Sequence, residues 1–428
     1  MKTLVTVREY ARLTTGVIGT DSLDEAHISA TAFDWICGQN ANIGRSSPVL
    51  VHLEDRKSLK LDNYVGVIET PCGTRVEILP KHVDDGDTKE SCRNLLRRMI
   101  INALDIPVRE TGRTDLQTFH LPISEWVVSQ FLAALNQLIK RGLRSDYVRI
   151  ESSEPYLRGQ LDVVKQMRRP PGQHDKFSIR HDLFVHDRPE NRLLKRALEQ
   201  AFRETEFSEN WRLAAELRNV LHEIPSSLNV REDFKLWRHD RLSAHYQAVK
   251  PWCELILARQ MPLSLIGGWH GISMLFPMER LFERFVAAAL RKVLPFDARL
   301  ISQAKSKYLC IHDENPIFRL EPDLLIEQGD RRWILDTKWK RVDSKNRAGN
   351  YGLNQADFYQ LYAYGQKYLS GRGNLALIYP KTDAFQEHLH PFDFGNGLWL
   401  SVLPFDLEEC RLLHANLLPE RPRTLKAA

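Results

Sequence analysis

The sequence predicts a mixed α/β (α+β) protein whose first half is β-rich and then helical, and whose C-terminal part is a separate α/β domain. Three observations predict this. Short β-prone runs separated by turn chemistry fill residues 1–110. Amphipathic helical periodicity, with a few strands, dominates residues 110–250. Beyond the apolar, glycine-rich stretch "PLSLIGGWHGISMLF" the chain alternates strand, strand and helix. The expected division is therefore 1–250 and 251–428.

The elements follow in order. In "YVGVIETPCGTRVEILPKHV", Val65–Glu69 and Arg75–Leu79 are β-prone runs joined by the turn Thr70-Pro71-Cys72-Gly73-Thr74, and Pro80 ends the second strand. "LPISEWVVSQFLAALNQLIKRGL" places Ile123, Trp126, Val127, Phe131 and Leu135 at helical spacing, with Ser124 as N-cap and Gly142 as stop. "EPYLRGQLDVVKQMRRPPGQHDKFSIRHDLFVHDRPENRLLKRALEQAF" reads as strand, basic loop, strand and helix. In it Arg158-Gly159 fixes a turn, and Asp187 or a neighbour caps the helix from Pro189. "PMERLFERFVAAALRKVLPF" is a strong helix with Pro277 near its first turn. A hairpin follows, Leu324–Ile326 and Trp333–Leu335 about the turn Gln328-Gly329-Asp330-Arg331. The last helix is "NQADFYQLYAYGQKYL".

Composition bounds the function. With 43% hydrophobic and 27% charged residues the chain is an ordinary globular protein, not a disordered one. No apolar run approaches the roughly 20 residues of a spanning helix. The N-terminal "MKTLVTVREYARLTTG" lacks the apolar segment of a secretory signal, so a cytoplasmic location is expected, with no membrane partner. Six scattered cysteines without a C-x-x-C pair point to reduced, mostly buried thiols rather than disulfides or zinc. The net charge of +5 suits a polyanionic partner. Residues 331–347 carry seven Lys/Arg against two Asp/Glu, and residues 140–169 eight against four.

The chemistry concentrates in "EPDLLIEQGDRRWILDTKWK". Side chains alternate along a strand, so Asp336 and Lys338 share a face and Thr337 points away. Asp323 starts the first hairpin strand and comes near Asp336 across the pair. Two carboxylates and an ammonium suit Mg²⁺, a hard cation with oxygen ligands, and phosphodiester hydrolysis. Taken alone, the stretch also reads as an ion-paired hairpin. Two neighbours tip the balance. Glu279 and Glu283 share one face of a helix at i, i+4, and Glu283 can supply a third carboxylate. Gln360 and Tyr364 stand one turn apart on the last helix, offering donors to a phosphate or to the lysine. The stretch after the catalytic strand, Lys340, Arg341, Lys345 and Arg347, fits DNA backbone contact.

Pro322-Asp323, then Asp336-x-Lys338, then Gln360-x-x-x-Tyr364 resembles the PD-(D/E)XK restriction-endonuclease-like superfamily, with the trailing motif of its RecB-like branch. "YVGVIETPCGTRVEILPKH", "EPYLRGQLDVVKQ", "DRPENRLLKRAL", "MERLFERFV" and "DTKWKR" before "DFYQLYAY" resemble, in that order, the McrC proteins of modification-dependent restriction systems. The resemblance implies a C-terminal nuclease domain whose catalytic residues are Asp323, Asp336 and Lys338, supported by Gln360 and Tyr364. It implies Mg²⁺, one ion or two, on Asp323, Asp336 and Glu283. It also implies an N-terminal half that docks on a McrB-like AAA+ GTPase hexamer and stimulates GTP hydrolysis, and a modified double-stranded DNA substrate. The sequence has no Gly-Lys dipeptide and hence no Walker A loop, so no nucleotide is expected on this chain alone. Two other readings remain open at this stage, a stand-alone RecB-like repair nuclease and a non-catalytic activator of an AAA+ motor.

Overall fold

The computed structural model of the chain describes residues 3–42, 49–82, 88–104, 106, 120–170, 172, 175–237, 241–257 and 274–413. It divides into two compact units, Met1–Ile123 with Met261–Ala428, and Ser124–Gln260. The sequence placed one boundary near 250 and left open whether residues 110–250 join the N-terminal strands or form a unit of their own. In the structure the first 123 residues instead form one unit with the C-terminal part.

Strand pairing explains this grouping. Strand β1 (Thr3–Arg8) runs parallel to β3 (Thr74–Leu79), which pairs antiparallel with β2 (Tyr64–Glu69), as the predicted hairpin requires. The fourth strand of that sheet, β4 (Met274–Pro277), comes from the far side of the sequence and pairs antiparallel with β2. At Gly66 (φ 127°) the two backbones approach so closely that a Cβ would lie 1.7 Å from the Met274 carbonyl oxygen, which leaves room for glycine alone. β4 passes directly into helix α2 (Met278–Val293). The N-terminal sheet is thus built onto the helix that carries Glu283. A smaller sheet of Arg12–Thr14, Glu25–His27, Val51–Leu53 and Ser58–Leu61 shares its apolar core, which includes Val7, Leu13, Leu59 and Ile78. Helix α1 (Lys89–Ala103) starts in a capping box of Thr88 and Ser91 and sends Arg93 to the buried Glu77 of β3.

The C-terminal layer is a seven-stranded sheet. Strands β5 (Ala298–Ser302), β8 (Leu324–Gln328) and β9 (Arg331–Thr337) are antiparallel. β10 (Gly373–Pro380) and β11 (Leu398–Asp406) continue the sheet in parallel with β9. An exposed ribbon, β6 (Lys307–His312) with β7 (Asn315–Leu320), precedes β8. The turn between β8 and β9 is at Gly329 (φ 56°), where the sequence put it. Helix α3 (Gln355–Tyr368), capped by Asn354, makes the crossover from β9 to β10. Its Leu361, Tyr364 and Tyr368 pack with Leu325, Ile334, Leu375 and Leu377 of the sheet. On α2, Phe282 meets Trp339 and Phe405 at ring-centroid distances of 5.3 and 6.0 Å.

The unit Ser124–Gln260 holds the expected strand, loop, strand and helix. Asp146–Glu154 and Phe177–Val185 pair antiparallel with Gln160–Leu161 beside them. Gly159 takes φ 71° against the Arg180 carbonyl, the turn the sequence assigns it. The helix Pro189–Glu204 is preceded by Arg188 without a side-chain cap, so Asp187 does not cap it. Ser124 lies inside the helix Ile123–Arg141 rather than at its cap. Buried Glu125 accepts hydrogen bonds from Thr205 Oγ1 (2.6 Å), the Glu206 amide (2.8 Å) and Asn210 Nδ2 (3.0 Å).

Only Cys92 and Cys253 of the six cysteines are buried, whereas the sequence suggested most would be. Cys72 sits in the β2–β3 turn and Cys310 on the exposed ribbon, where no core is available. Among the described residues no helix is long and apolar enough to cross a membrane.

Candidate active site

The site forms where β8 begins and β9 ends. The antiparallel register pairs Leu324 with Leu335, which sets Asp323 and Asp336 at the same edge of the hairpin. Asp336 is 1% exposed, and its Oδ2 lies 2.7 Å from Lys338 Nζ, so the two do share a face. The Lys338 ammonium is thus the charged partner of Asp336 Oδ2, as an ion pair. Burial, then the neighbouring Asp323 carboxylate, raise the Asp336 pKa well above the usual carboxylate range, against the pull of Lys338. Burial tends to lower the Lys338 pKa, but Asp336, Asp357 and Asp323 outweigh it and hold the ammonium charged.

Asp323 is anchored by a residue the alternation rule had pointed away. Thr337 donates to Asp323 Oδ2 from both its backbone amide (2.7 Å) and its hydroxyl (2.8 Å). The strand ends at Thr337, and Asp323 comes from the loop before β8, so face alternation no longer decides what the threonine reaches. Burial still raises Asp323 overall, despite those donors.

Glu283 of α2 is buried while Glu279 is exposed, so the two do not share an environment. Burial and then Asp323 push Glu283 up to about 7. It receives one hydrogen bond, a 3.4 Å contact from Gln303 Nε2. Gln303 follows β5 in the left-handed region (φ 50°), and its amide donates to the Asp323 carbonyl at 2.8 Å. It thus ties Glu283 to the Asp323 segment.

On α3, Gln360 Nε2 donates to Tyr364 OH (2.8 Å), and Tyr364 OH donates to the Glu321 carbonyl (3.1 Å). Gln360 Oε1 accepts from Lys338 Nζ at 3.5 Å. Burial, then Asp336, push the Tyr364 phenol up to about 12, so it stays a protonated donor. Sequence reasoning missed Asp357. This buried carboxylate lies 3.6 Å from Lys338 Nζ and 3.8 Å from Lys340 Nζ. Its signal was present, because it precedes Gln360 by three residues and shares its helix face. Gln303 and Thr337 gave no such signal, since only the fold brings them to the carboxylates.

Of the four expected DNA contacts, Lys340 adjoins this network through Asp357. Arg341, Lys345 and Arg347 are exposed on the loop between β9 and α3. Among the described residues no three His, Cys, Asp or Glu side chains stand grouped to hold a metal ion. The expected trio of Asp323, Asp336 and Glu283 is therefore not drawn together as a ready cage. The donor chemistry nevertheless suits a hard cation. Asp336, Glu283 and Asp323 are buried oxygen donors, each made harder to ionise by burial.

The fold and its acidic edge define a mixed α/β protein with a buried carboxylate–lysine cluster, and comparison with known proteins gives its family. The family model described as McrBC 5-methylcytosine restriction system component matches residues 59–380, and the chain belongs to that family. It is 25% identical over 278 residues to the type IV methyl-directed restriction enzyme EcoKMcrBC of Escherichia coli K12, covering 60% of this chain and 78% of that one. Its fold is similar to the McrC-containing half-complex with McrB AAA+ hexamers from Thermococcus gammatolerans. That match has TM-score 0.70 and 20% identity, covering 94% of this chain and 95% of the other. A chain of the McrBC complex from the same organism matches with TM-score 0.53 and 23% identity, covering 68% and 88%. The protein is a McrBC-type restriction system component.

Proposed function

We propose that this chain is the endonuclease subunit of its restriction system and cleaves DNA by metal-assisted phosphodiester hydrolysis. One observation carries this reading: Asp323, Asp336 and Lys338 meet at one sheet edge, with Asp336 buried against the Lys338 ammonium. Asp336, Asp323 and Glu283 would hold Mg²⁺, which supplies Lewis-acid polarisation of the phosphodiester and a more acidic water. Thr337 fixes the Asp323 carboxylate and Gln303 fixes Glu283. Lys338 stays cationic between Asp336 and Asp357 and is placed to neutralise charge growing on the phosphoryl oxygens. Gln360 and Tyr364 brace Lys338 from α3. Lys340, Arg341, Lys345 and Arg347 offer cations to the backbone of a modified double-stranded DNA.

The partner in this reading is a McrB-like AAA+ hexamer, as in the Thermococcus gammatolerans assembly, and residues 1–250 would supply docking surface and GTPase stimulation. The absence of a Walker A loop in this chain supports a division of labour. The test assembles the chain with its GTPase and modified DNA. Asp336→Ala and Lys338→Ala should each abolish cleavage while GTPase stimulation persists. Cleavage retained in both would sink the site assignment.

A further inference from the structure

A cleft of about 440 Å³ opens beside the candidate active site, and the N-terminal sheet supplies half of its wall. Glu9, Tyr10 and Lys81 line it from the ends of β1 and β3. Trp339, Lys340 and Arg341 line it from the chain that leaves the catalytic strand. The volume falls in the usual pocket range of roughly 300–1,000 Å³, too small for a duplex and sufficient for one nucleotide.

The floor is rigid. Glu9 Oε1 accepts from Trp339 Nε1 (2.8 Å) and from the Lys81 amide (2.7 Å), joining segments 330 residues apart. Trp339 adjoins Lys338, and its ring packs on Phe282, the neighbour of Glu283. The walls carry three cations, Lys81, Lys340 and Arg341. The carboxylates of Glu9, Asp62 and Glu279 all act on the Tyr10 phenol, so a phosphate is disfavoured there. Tyr10 itself is 40% exposed and holds a left-handed backbone, φ 65°. A bulky residue kept in that region is costly, and such strain clusters at ligand sites.

We propose that this cleft binds one nucleotide of the DNA strand flanking the scissile phosphate. The phosphate lies against Lys340, Arg341 and Lys81, and the base stacks on Tyr10. This deepens the nuclease reading and rests on it. It gives the N-terminal sheet a share in substrate binding, beyond partner docking.

The test is fluorescence anisotropy of the full chain with fluorescein-labelled duplex and single-stranded DNA, in EDTA. Lys81→Ala should weaken binding about tenfold and reduce the salt slope by about one, as expected for one lost phosphate contact. Lys81→Arg should bind as the parent does. Tyr10→Asn tolerates the left-handed backbone and should weaken single-strand binding about tenfold, while Tyr10→Phe keeps it. Should either loss variant fail to fold, Thr382→Glu on the same rim decides, by losing affinity under the proposal and keeping it otherwise. Parent-like binding by Lys81→Ala and Tyr10→Asn overturns the proposal. Asp336→Asn, assayed for binding in EDTA and for cleavage with Mg²⁺ in the assembled system, separates the two readings. If it still binds but no longer cuts, the nuclease reading survives whatever the cleft variants show. If it still cuts, that reading fails on its own.

Discussion

Two buried acidic centres in the same unit are built in opposite ways. In the N-terminal sheet, Glu77 is 0% exposed and saturated. Its oxygens accept from Arg93 Nη2 (2.6 Å), Arg93 Nε (3.1 Å), the Ile123 amide (2.9 Å) and Thr6 Oγ1 (3.0 Å). At the candidate active site, Asp336 is equally buried but its Oδ2 meets only the Lys338 ammonium (2.7 Å), and Glu283 has one long contact. A saturated buried carboxylate is an architectural joint. An unsaturated one destabilises the free protein and is retained where a ligand supplies the missing partner.

Four variants break or sharpen that contrast. The largest effect is expected from Asp336→Asn. Cleavage of modified DNA by the assembled system should fall at least ~100-fold, while the urea midpoint of the chain stays level or rises. A midpoint that drops as far as activity does would make Asp336 a structural joint like Glu77.

Glu77→Ala should do the reverse. It strands the Arg93 guanidinium in the core, at a cost of about 3–5 kcal/mol, read as a lowered urea midpoint. A loss under 1 kcal/mol would remove the contrast from the other side.

Glu9 sits between the two types. Its Oε1 has two donors and its Oε2 has none. Burial pushes its pKa up to about 7, against the pull of Lys81, Trp339 and Arg341. The folded state therefore holds this proton more tightly than the unfolded chain, whose value is near 4.5. Below pH 4.5 the group carries no penalty. Stability is lost as pH rises from there to about 7, and the penalty is full above that, at most about 3 kcal/mol. Glu9→Gln keeps the accepting oxygen and drops the charge. It should match the parent near pH 5 and exceed it at pH 8 by chemical denaturation. Equal midpoints at both pH values would show that Glu9 ionises freely.

Tyr364→Phe is the smallest change. It removes a brace on Gln360 and the bond to the Glu321 carbonyl, so stability should fall by about 1 kcal/mol and the cleavage rate by tenfold or less. A loss as deep as that of Asp336→Asn would place Tyr364 in the chemistry itself.

Much of the site was legible in the sequence because its parts are local. Asp336 and Lys338 are two residues apart on one strand, the Gly329 turn sets their register with Asp323, and Gln360 and Tyr364 are one helical turn apart. Glu283 was preferred to Glu279 on the family resemblance of Leu281-Phe282-Glu283, and in the structure Glu283 is buried and Glu279 exposed. Thr337 was read as pointing away, and Gln303 and Asp357 escaped notice. The first two reach the carboxylates only after the strand ends and chain reversals are fixed, and Asp357 looked like an ordinary first-turn acid.

The sequence by itself determined the hairpin, the helices and the spacing of the reactive groups. Alternation, helical period and turn chemistry act over a few residues, and a linear reading captures them. The tertiary structure alone decided which distant segments make one body. Met274–Pro277 completes the N-terminal sheet by backbone pairing, which writes little into side-chain identity beyond the permissive Gly66. Glu9 meets Trp339 across 330 residues because both fill one buried space, and no periodicity in the chain announces such a contact.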